Sequence, residues 1–242
     1  MGLGAQRLPG VPYTVKRIIR YDIQMTPKLI IGNKNYSSWS LRSWLLLREA
    51  GIEFEEHRII LDAATTAAEM AEHCPSATVP VLHLDGVVVW DTMAIAETVA
   101  ELWPDAQLWP ADLRARAHAR SICAEMHAGF PQLRSRMPMN CRAMGRKVPL
   151  PDELTAEIDR IFAIWSTCHR QYRGDNNWLF GDFSVADAMF APVVLRFRTY
   201  GINLPDSAGY YPHRLLESRA MQEWLAAAET EVEVIAHEEL GK

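Results

Sequence analysis

Two adjacent serines, Ser37 and Ser38, directly precede a stretch that predicts a helix, where a hydroxyl can act on an anion. Residues 41–50 carry apolar side chains at helical spacing and are followed by Gly51, a common helix terminator. A hydroxyl in the first turn can donate a hydrogen bond to a thiolate sulfur, and the positive end of the helix dipole adds to that stabilisation. Serine is also a frequent N-cap, so the pair by itself favours a plain cap over a catalytic group.

A second set of candidates surrounds Pro80 and the pair Asp91-Thr92. Pro80 begins a strand-like stretch, where a proline cannot donate to the sheet ladder. A cis bond between Val79 and Pro80 would explain its place, and a trans edge-strand proline is the alternative. Asp91 and Thr92 open a predicted helix, so the hydroxyl and the free backbone N–H groups can receive a ligand carboxylate while the acid meets an ammonium. A simple helix cap is the alternative here too.

The composition excludes several classes of function. The chain has 242 residues, of which 49% are hydrophobic and 23% charged, and a net charge of -5. This favours packed domains over disorder and predicts no nucleic-acid partner, since like charges do not cluster. The four cysteines lack CxxC or zinc-ligand spacing and the histidines lack zincin spacing, which predicts no metal and a reducing, cytoplasmic location. No apolar run approaches the roughly 18 residues that span a bilayer, so no membrane partner is expected.

The periodicity of the first hundred residues predicts a mixed sheet covered by helices. Strands are predicted at residues 28–32, 52–60, 79–84 and 87–90, and helices at residues 41–50, 63–72 and 92–102. The last two strands flank Asp85-Gly86, a pair that favours a two-residue hairpin. The resulting order, β-α-β-α-β-β-α, is the thioredoxin-like order, so the fold class is an α/β thioredoxin-like N-terminal domain.

The rest of the chain predicts an all-α C-terminal domain. Helical stretches are expected at residues 113–129, 152–172, 185–200 and 217–236. The domain division follows from the Trp-Pro and Ala-Asp content near the centre of the chain. It gives a leader or extension at residues 1–26, a thioredoxin-like domain at 27–106, a linker at 107–112 and a helical domain at 113–242. A targeting role for the leader is the alternative to an extension outside the fold.

Three separate parts of the chain, the second made of two runs, resemble the cytosolic glutathione transferase family, bacterial members included, and together they span residues 27–235. The run NYSSWSLR at residues 35–42 is similar to the Ser-Ser-x-Ser-x-Arg signature of zeta-like members. The runs TVPVL at 78–82 and DTMAI at 91–95 resemble the family's Val-Pro-x-Leu and acidic-hydroxyl-x-Ala-Ile motifs. The run SVAD at 184–187 resembles its capping box at the head of a buried helix, a folding device. Their order and spacing make the combination specific.

The resemblance implies a role for each residue of the first motif. Alignment with the signature makes Ser37 the first candidate for the catalytic hydroxyl that stabilises the thiolate of glutathione. Ser38 is the second candidate, and Tyr36, a transferase-type phenol, is the third. Tyr36 and Ser37 are also expected to contact glutathione. Arg42 matches the arginine of the signature, where it either supports the site or is solvated or salt-bridged.

The other motifs imply the binding of the tripeptide. In the family a cis proline turns the preceding backbone toward glutathione, so Val79 and Pro80 are expected to bind its cysteinyl unit by strand addition. Asp91 and Thr92 correspond to the clamp on the γ-glutamyl group. The family usually carries Glu or Gln followed by Ser there, so Asp-Thr implies an altered reach.

The resemblance implies an enzyme that takes glutathione as co-substrate, and three functions follow. The first is a transferase that conjugates glutathione to small hydrophobic electrophiles, as in detoxification; disulfide reduction and peroxidase chemistry are open to the same thiolate. The second is a zeta-like cis-trans isomerase of maleylacetoacetate or a related diacid. Its expected arginine falls on Thr199, beside Arg196 and Arg198. The third is a non-catalytic glutathione-binding scaffold. A homodimer is the implied assembly.

Overall fold

The N-terminal part of the chain has the predicted element order. The computed structural model describes residues 25–208 and 210–242, so most of the predicted leader, residues 1–24, lies outside the described residues. The elements are β1 (Lys28–Ile31), α1 (Ser38–Glu49), β2 (Glu55–Arg58), α2 (Thr66–His73), β3 (Val81–Leu84), β4 (Val87–Trp90) and α3 (Thr92–Leu102). The order β-α-β-α-β-β-α is confirmed.

The four strands form one mixed sheet in the order β2-β1-β3-β4. Strand β1 runs parallel to β2 and antiparallel to β3, and β3 pairs with β4 as an antiparallel hairpin. At the hairpin turn Asp85 and Gly86 have φ angles of 45° and 81°, as a two-residue primed turn requires. The thioredoxin-like fold class is therefore confirmed.

Alternate residues of the sheet face two different cores, as the pleat of a strand dictates. Leu29 and Ile31 of β1 are fully buried in the main core with α1 and α3. Ile30 and Val81 point to the other face and pack with Cys74 in a small cluster beneath α2. Helix α2 itself has no buried residue. The large core therefore lies on the α1 and α3 side of the sheet, where the sheet meets the helical domain.

The C-terminal part of the described chain is helical, as predicted. It contains α4 (Leu113–Ala128), α5 (Pro131–Arg136), α6 (Asp152–Tyr172), α7 (Val185–Tyr200), α8 (Tyr210–Leu216) and α9 (Arg219–Glu229). Helix α7 is buried along almost its entire length and packs against both α1 and α4. It is therefore the central element that joins the helical part to the sheet. None of the helices in residues 25–208 and 210–242 is long and apolar enough to cross a bilayer.

Several predicted element bounds were wrong. Helix α1 begins three residues before residue 41, because Ser37 caps it. Strand β2 covers only four of the nine predicted residues, since it is an edge strand that pairs with β1 alone. Helix α9 is shorter at both ends than the predicted 217–236, and the short helices α5 and α8 were missed because six or seven residues hold too little periodicity. Residues 107–112 contain no helix or strand, but the domain bounds themselves stay predictions.

The predicted capping box at the head of α7 is present. Asp187 is completely buried, and its Oδ2 accepts hydrogen bonds from the backbone N–H and the hydroxyl of Ser184, at 2.8 and 2.9 Å. Its Oδ1 accepts a third from the backbone N–H of Leu179, at 3.0 Å. Burial raises the pKa of Asp187 to about 7, although the three donors oppose that shift. This carboxyl therefore ties the loop before α7 to the helix itself.

All four cysteines are buried and none forms a disulfide. Burial raises the pKa of Cys141 and of Cys168 to about 12. Since the thiolate is the reactive form of cysteine, both thiols are inert at neutral pH.

Candidate active site

A cavity of about 240 Å³ opens where α1, α3, α4 and the start of β3 meet. Seven residues line it: Trp39, Thr78, Val79, Pro80, Asp91, Thr92 and His127. All four residues of the two predicted binding motifs are therefore brought together in one place. The serine motif contributes Trp39 to the same cavity, and the helical domain contributes His127.

The bond between Val79 and Pro80 is cis, as predicted. Pro80 is buried and Val79 is half-buried at the wall of the cavity. Within residues 25–208 and 210–242, neither the backbone N–H nor the C=O of Val79 has a backbone partner. Backbone polar groups are nearly always paired, so this peptide is available to an extended ligand.

Asp91 caps α3 and keeps part of its carboxylate at the cavity. Its Oδ1 accepts a hydrogen bond from the backbone N–H of Met93 at 2.8 Å, and its Oδ2 lies 3.2 Å from Nε2 of His127. The side chain is nevertheless 49% exposed. The hydroxyl of the buried Thr92 lies 3.5 Å from the carbonyl oxygen of Trp39, which holds the start of α3 against α1. Asp91 is thus a cap that can also meet a cation.

The two predicted catalytic serines differ in the state of their hydroxyl groups. Ser37 caps α1: its Oγ accepts from the backbone N–H of Ser40 at 3.3 Å and donates to Oγ of Ser40 at 2.7 Å. Ser38 accepts a hydrogen bond from Nη2 of Arg196 at 3.2 Å, and its own proton has no acceptor among the described residues. Neither hydroxyl lines the cavity, although the next residue, Trp39, does.

Three guanidinium groups gather behind the serine motif. The groups of Arg42 and Arg134 lie 4.5 and 4.6 Å from the centroid of the Trp39 ring. That of Arg196 contacts Ser38, and all three donate to backbone carbonyls rather than to carboxylates in the described part of the chain. Burial first, and then their mutual repulsion, lowers the pKa of Arg42 far below its ordinary value and that of Arg196 to about 10. An anion beside Ser38 would balance this charge.

Arg42 corrects one expectation, since it is buried rather than solvated and forms no salt bridge with the part of the chain that the structure describes. It is 1% exposed and donates to the carbonyl oxygens of Met189 and Ser38, at 2.9 and 3.1 Å. It therefore fastens α1 to α7.

Tyr36 is not brought to the cavity. Its hydroxyl donates to Oε1 of Glu239 at 2.8 Å and accepts from Nη2 of Arg142 at 3.2 Å. Burial, followed by the bond to Glu239, raises the pKa of the Tyr36 phenol above its ordinary value. The phenol is thus occupied by the C-terminal residues rather than turned toward a ligand.

Sequence analysis did not select Trp39, Thr78 or His127 as site residues. His127 is one of eight histidines, and its contact with Asp91 joins residues 36 positions apart. The local signals were the positions of Trp39 inside the serine motif and of Thr78 at the start of the TVPVL run. Among residues 25–208 and 210–242, no group of three or more His, Cys, Asp or Glu side chains is arranged to hold a metal ion.

Sequence comparisons agree with this geometry. The sequence pattern of the glutathione S-transferase N-terminal domain matches residues 36–102. The chain is 33% identical to a probable maleylacetoacetate isomerase of Caenorhabditis elegans over 96 residues, which are 40% of this chain and 44% of that protein. It is 25% identical to the maleylacetoacetate isomerase of Rattus norvegicus over 181 residues, which are 74% of this chain and 81% of that protein.

Solved structures share the fold over most of the chain. A Burkholderia glutathione transferase homolog with bound glutathione superposes with a TM-score of 0.65 at 21% identity, covering 86% of this chain and 100% of that one. A maleyl pyruvate isomerase, a bacterial glutathione S-transferase of the zeta class, gives a TM-score of 0.64 at 19% identity, covering 84% and 99%. Residues 36–102 thus match the glutathione S-transferase N-terminal domain family, and the chain shares the fold of solved glutathione transferases over most of its length.

Proposed function

We propose that this chain binds glutathione in the 240 Å³ cavity and adds its sulfur to a small electrophile. The observation that carries the proposal is the meeting of Val79, Pro80, Asp91 and Thr92 in one cavity with the serine-motif residue Trp39. A helix cap alone does not require an unpaired backbone segment opposite it. An extended peptide with a carboxylate and an ammonium at one end does require both.

Two of the three units of the tripeptide have a matching partner. The cysteinyl unit pairs with the backbone of Val79, in the manner of an added strand. The γ-glutamyl ammonium meets Asp91, and the neighbouring carboxylate meets the N–H groups and the hydroxyl at the start of α3, beginning with Thr92. His127 holds the Asp91 carboxylate from the side of the helical domain.

The sulfur requires stabilisation as a thiolate, because a cysteine-like thiol has a pKa of about 8.5. The hydrogen bonds favour Ser38 over Ser37 for this task. The Ser37 hydroxyl already donates its proton to Oγ of Ser40. The Ser38 hydroxyl accepts from Arg196, so its own proton is available to a ligand sulfur. The guanidinium behind it makes the hydroxyl a stronger donor, and the positive potential of the cluster favours S⁻.

A second function, the zeta-like isomerase, is favoured by the position of Arg196. This residue lies three positions before Thr199, where the expected arginine would stand, and its guanidinium reaches Ser38. A cation beside the sulfur can hold a carboxylate of a diacid while glutathione adds, the bond rotates and glutathione leaves. The two curated relatives are maleylacetoacetate isomerases by name, which supports the same alternative.

Calorimetric titration with glutathione, followed by two activity assays, tests these functions. We expect binding, glutathione consumption with chlorodinitrobenzene, and a hydrophobic second substrate. If instead a cis diacid is isomerised and glutathione is recovered unchanged, the chain is the isomerase. Binding with neither activity would leave the non-catalytic scaffold, and no binding at millimolar glutathione would contradict the proposal.

Asp91→Asn separates the clamp from a plain helix cap. Asparagine caps helices as well as aspartate and tolerates the observed φ of 72°, so the stability of the fold should not change. The loss of the charge should weaken glutathione binding about 10- to 100-fold, the effect of losing a hydrogen bond to a charged group. Calorimetry and urea unfolding of the same samples measure both quantities. Unchanged affinity would show that Asp91 is only a cap.

A further inference from the structure

The loop between β1 and α1 decides where the serine motif points. The backbone N–H groups of Tyr36 and Ser37 both donate to the carbonyl oxygen of Asn33, at 3.2 and 2.8 Å, so the chain turns tightly into the helix. The N–H groups of Lys34 and Asn35 are not used in that turn. They are satisfied instead from the far end of the chain.

Glu231, the second residue after α9, accepts from both of these N–H groups. Its Oε1 receives the N–H of Lys34 at 2.7 Å, and its Oε2 receives that of Asn35 at 2.9 Å. The residue is 8% exposed. Arg58 approaches Oε1 only at 3.4 Å, so the two backbone amides are its nearest partners. Bonds from amides to a buried carboxylate are short and strong because one partner is charged.

Residues of the helical part also form hydrogen bonds with the loop between β1 and α1, at Asn35 and at Tyr36. The backbone carbonyl and the side-chain oxygen of Asn35 accept from the N–H groups of Cys141 and Arg142, at 3.1 and 2.9 Å. The Arg142 guanidinium donates to the carbonyl of Glu231 and to the phenol of Tyr36. The Tyr36 hydroxyl, which the cavity does not use, thereby acts as an anchor. Among these contacts, the Glu231 carboxylate accepts hydrogen bonds from the N–H groups of two consecutive residues, Lys34 and Asn35.

We infer that Glu231 is a positioning residue for the sulfur-binding end of the site, acting through the peptides of Lys34 and Asn35 on the first turn of α1. The inference rests on the proposed function. It concerns Ser38, because a displacement of the loop moves the hydroxyl relative to the ligand. Val79 and Asp91 belong to other elements and make no described contact with this loop, whereas Thr92 contacts the first turn of α1 through the carbonyl oxygen of Trp39. The chain's C-terminal residues thus set the geometry of its N-terminal active site.

Glu231→Gln tests this with little change of shape. The side-chain amide keeps one acceptor but turns an NH₂ group toward the second backbone N–H, so one of the two bonds is lost. Misplacement of a reacting group by about 1 Å costs up to about 100-fold in rate. We expect kcat to fall about tenfold and the pKa of bound glutathione to rise, with little change in glutathione affinity. The ultraviolet absorbance of the thiolate, followed against pH, reports that pKa.

Glu233→Gln is the matched control. Glu233 lies two residues further along the same segment, and Oε1 of its carboxylate accepts from the Arg58 guanidinium at 3.0 Å rather than from the peptides of Lys34 and Asn35. It should leave kcat and the pKa of the bound thiol unchanged. Urea unfolding of both variants identifies any loss of stability.

The outcomes are distinct. A raised thiol pKa in Glu231→Gln, with retained affinity, supports the inference. Equal behaviour of the two variants, or a less stable Glu231→Gln whose folded fraction keeps the wild-type thiol pKa, overturns it and leaves Glu231 a structural residue. If the wild-type protein itself binds no glutathione, the proposed function fails, and the inference fails with it.

Discussion

Replacing Ser38 with alanine is expected to lower kcat for glutathione addition by about 100- to 1,000-fold, the typical cost of removing one donor to a developing or resident anion. The hydroxyl accepts from Arg196 and has its proton available, so its loss removes the donor to the sulfur. The pKa of bound glutathione should rise toward about 8.5, the value of a free thiol. Single-turnover kinetics and thiolate absorbance measure the two effects.

Ser37→Ala is the matched comparison. Ser37 caps α1 and donates to Ser40, so its loss should cost about 1 kcal/mol in the free energy of unfolding. The kcat of this variant should stay close to that of the wild type. The reverse result, a large loss of kcat in Ser37→Ala and a small one in Ser38→Ala, would restore the order that the family signature predicts.

Asp187→Ala is expected to lower the free energy of unfolding by about 3 kcal/mol or more, because three buried donors lose their acceptor at once. These donors belong to Leu179 and Ser184, so the loop that enters α7 would detach from the helix. Urea unfolding measures the loss. Asp182→Ala is the control: the Asp182 side chain is exposed and accepts, among the described residues, a hydrogen bond from Asn176 alone, so its removal should change stability by no more than about 0.5 kcal/mol.

The same carboxyl gives the stability of the protein a dependence on pH. Burial raises the pKa of Asp187 to about 7, compared with about 3.9 in an unfolded chain. The folded state therefore holds a proton that the unfolded state releases, and this contribution is present below about pH 4 and is lost as the pH rises through about 7. Wild-type protein should accordingly lose more stability between pH 5 and pH 8 than Asp187→Ala does. An equal loss in both would contradict the assignment.

The sequence alone determined the features that local chemistry controls. The Asp85-Gly86 turn, the periodicity of α6 and α7 and the capping box before α7 each follow from neighbouring residues, so they were predicted correctly. The place of Pro80 at the start of a strand favoured a cis bond over the trans alternative, and the bond is cis. These elements were sufficient for the order β-α-β-α-β-β-α and for the thioredoxin-like fold.

Tertiary structure decided which of the candidate hydroxyls is available to a ligand. Tyr36, Ser37 and Ser38 are consecutive, and nothing in their spacing shows that the phenol is held by Glu239, that Ser37 is held by Ser40, or that Ser38 meets a guanidinium. Glu239 and Arg196, the partners of Tyr36 and Ser38, each lie more than 150 positions along the chain from the hydroxyl that they contact. A hydrogen bond forms only where the packed domains bring donor and acceptor within about 3 Å, and that distance is a property of the fold rather than of any local pattern.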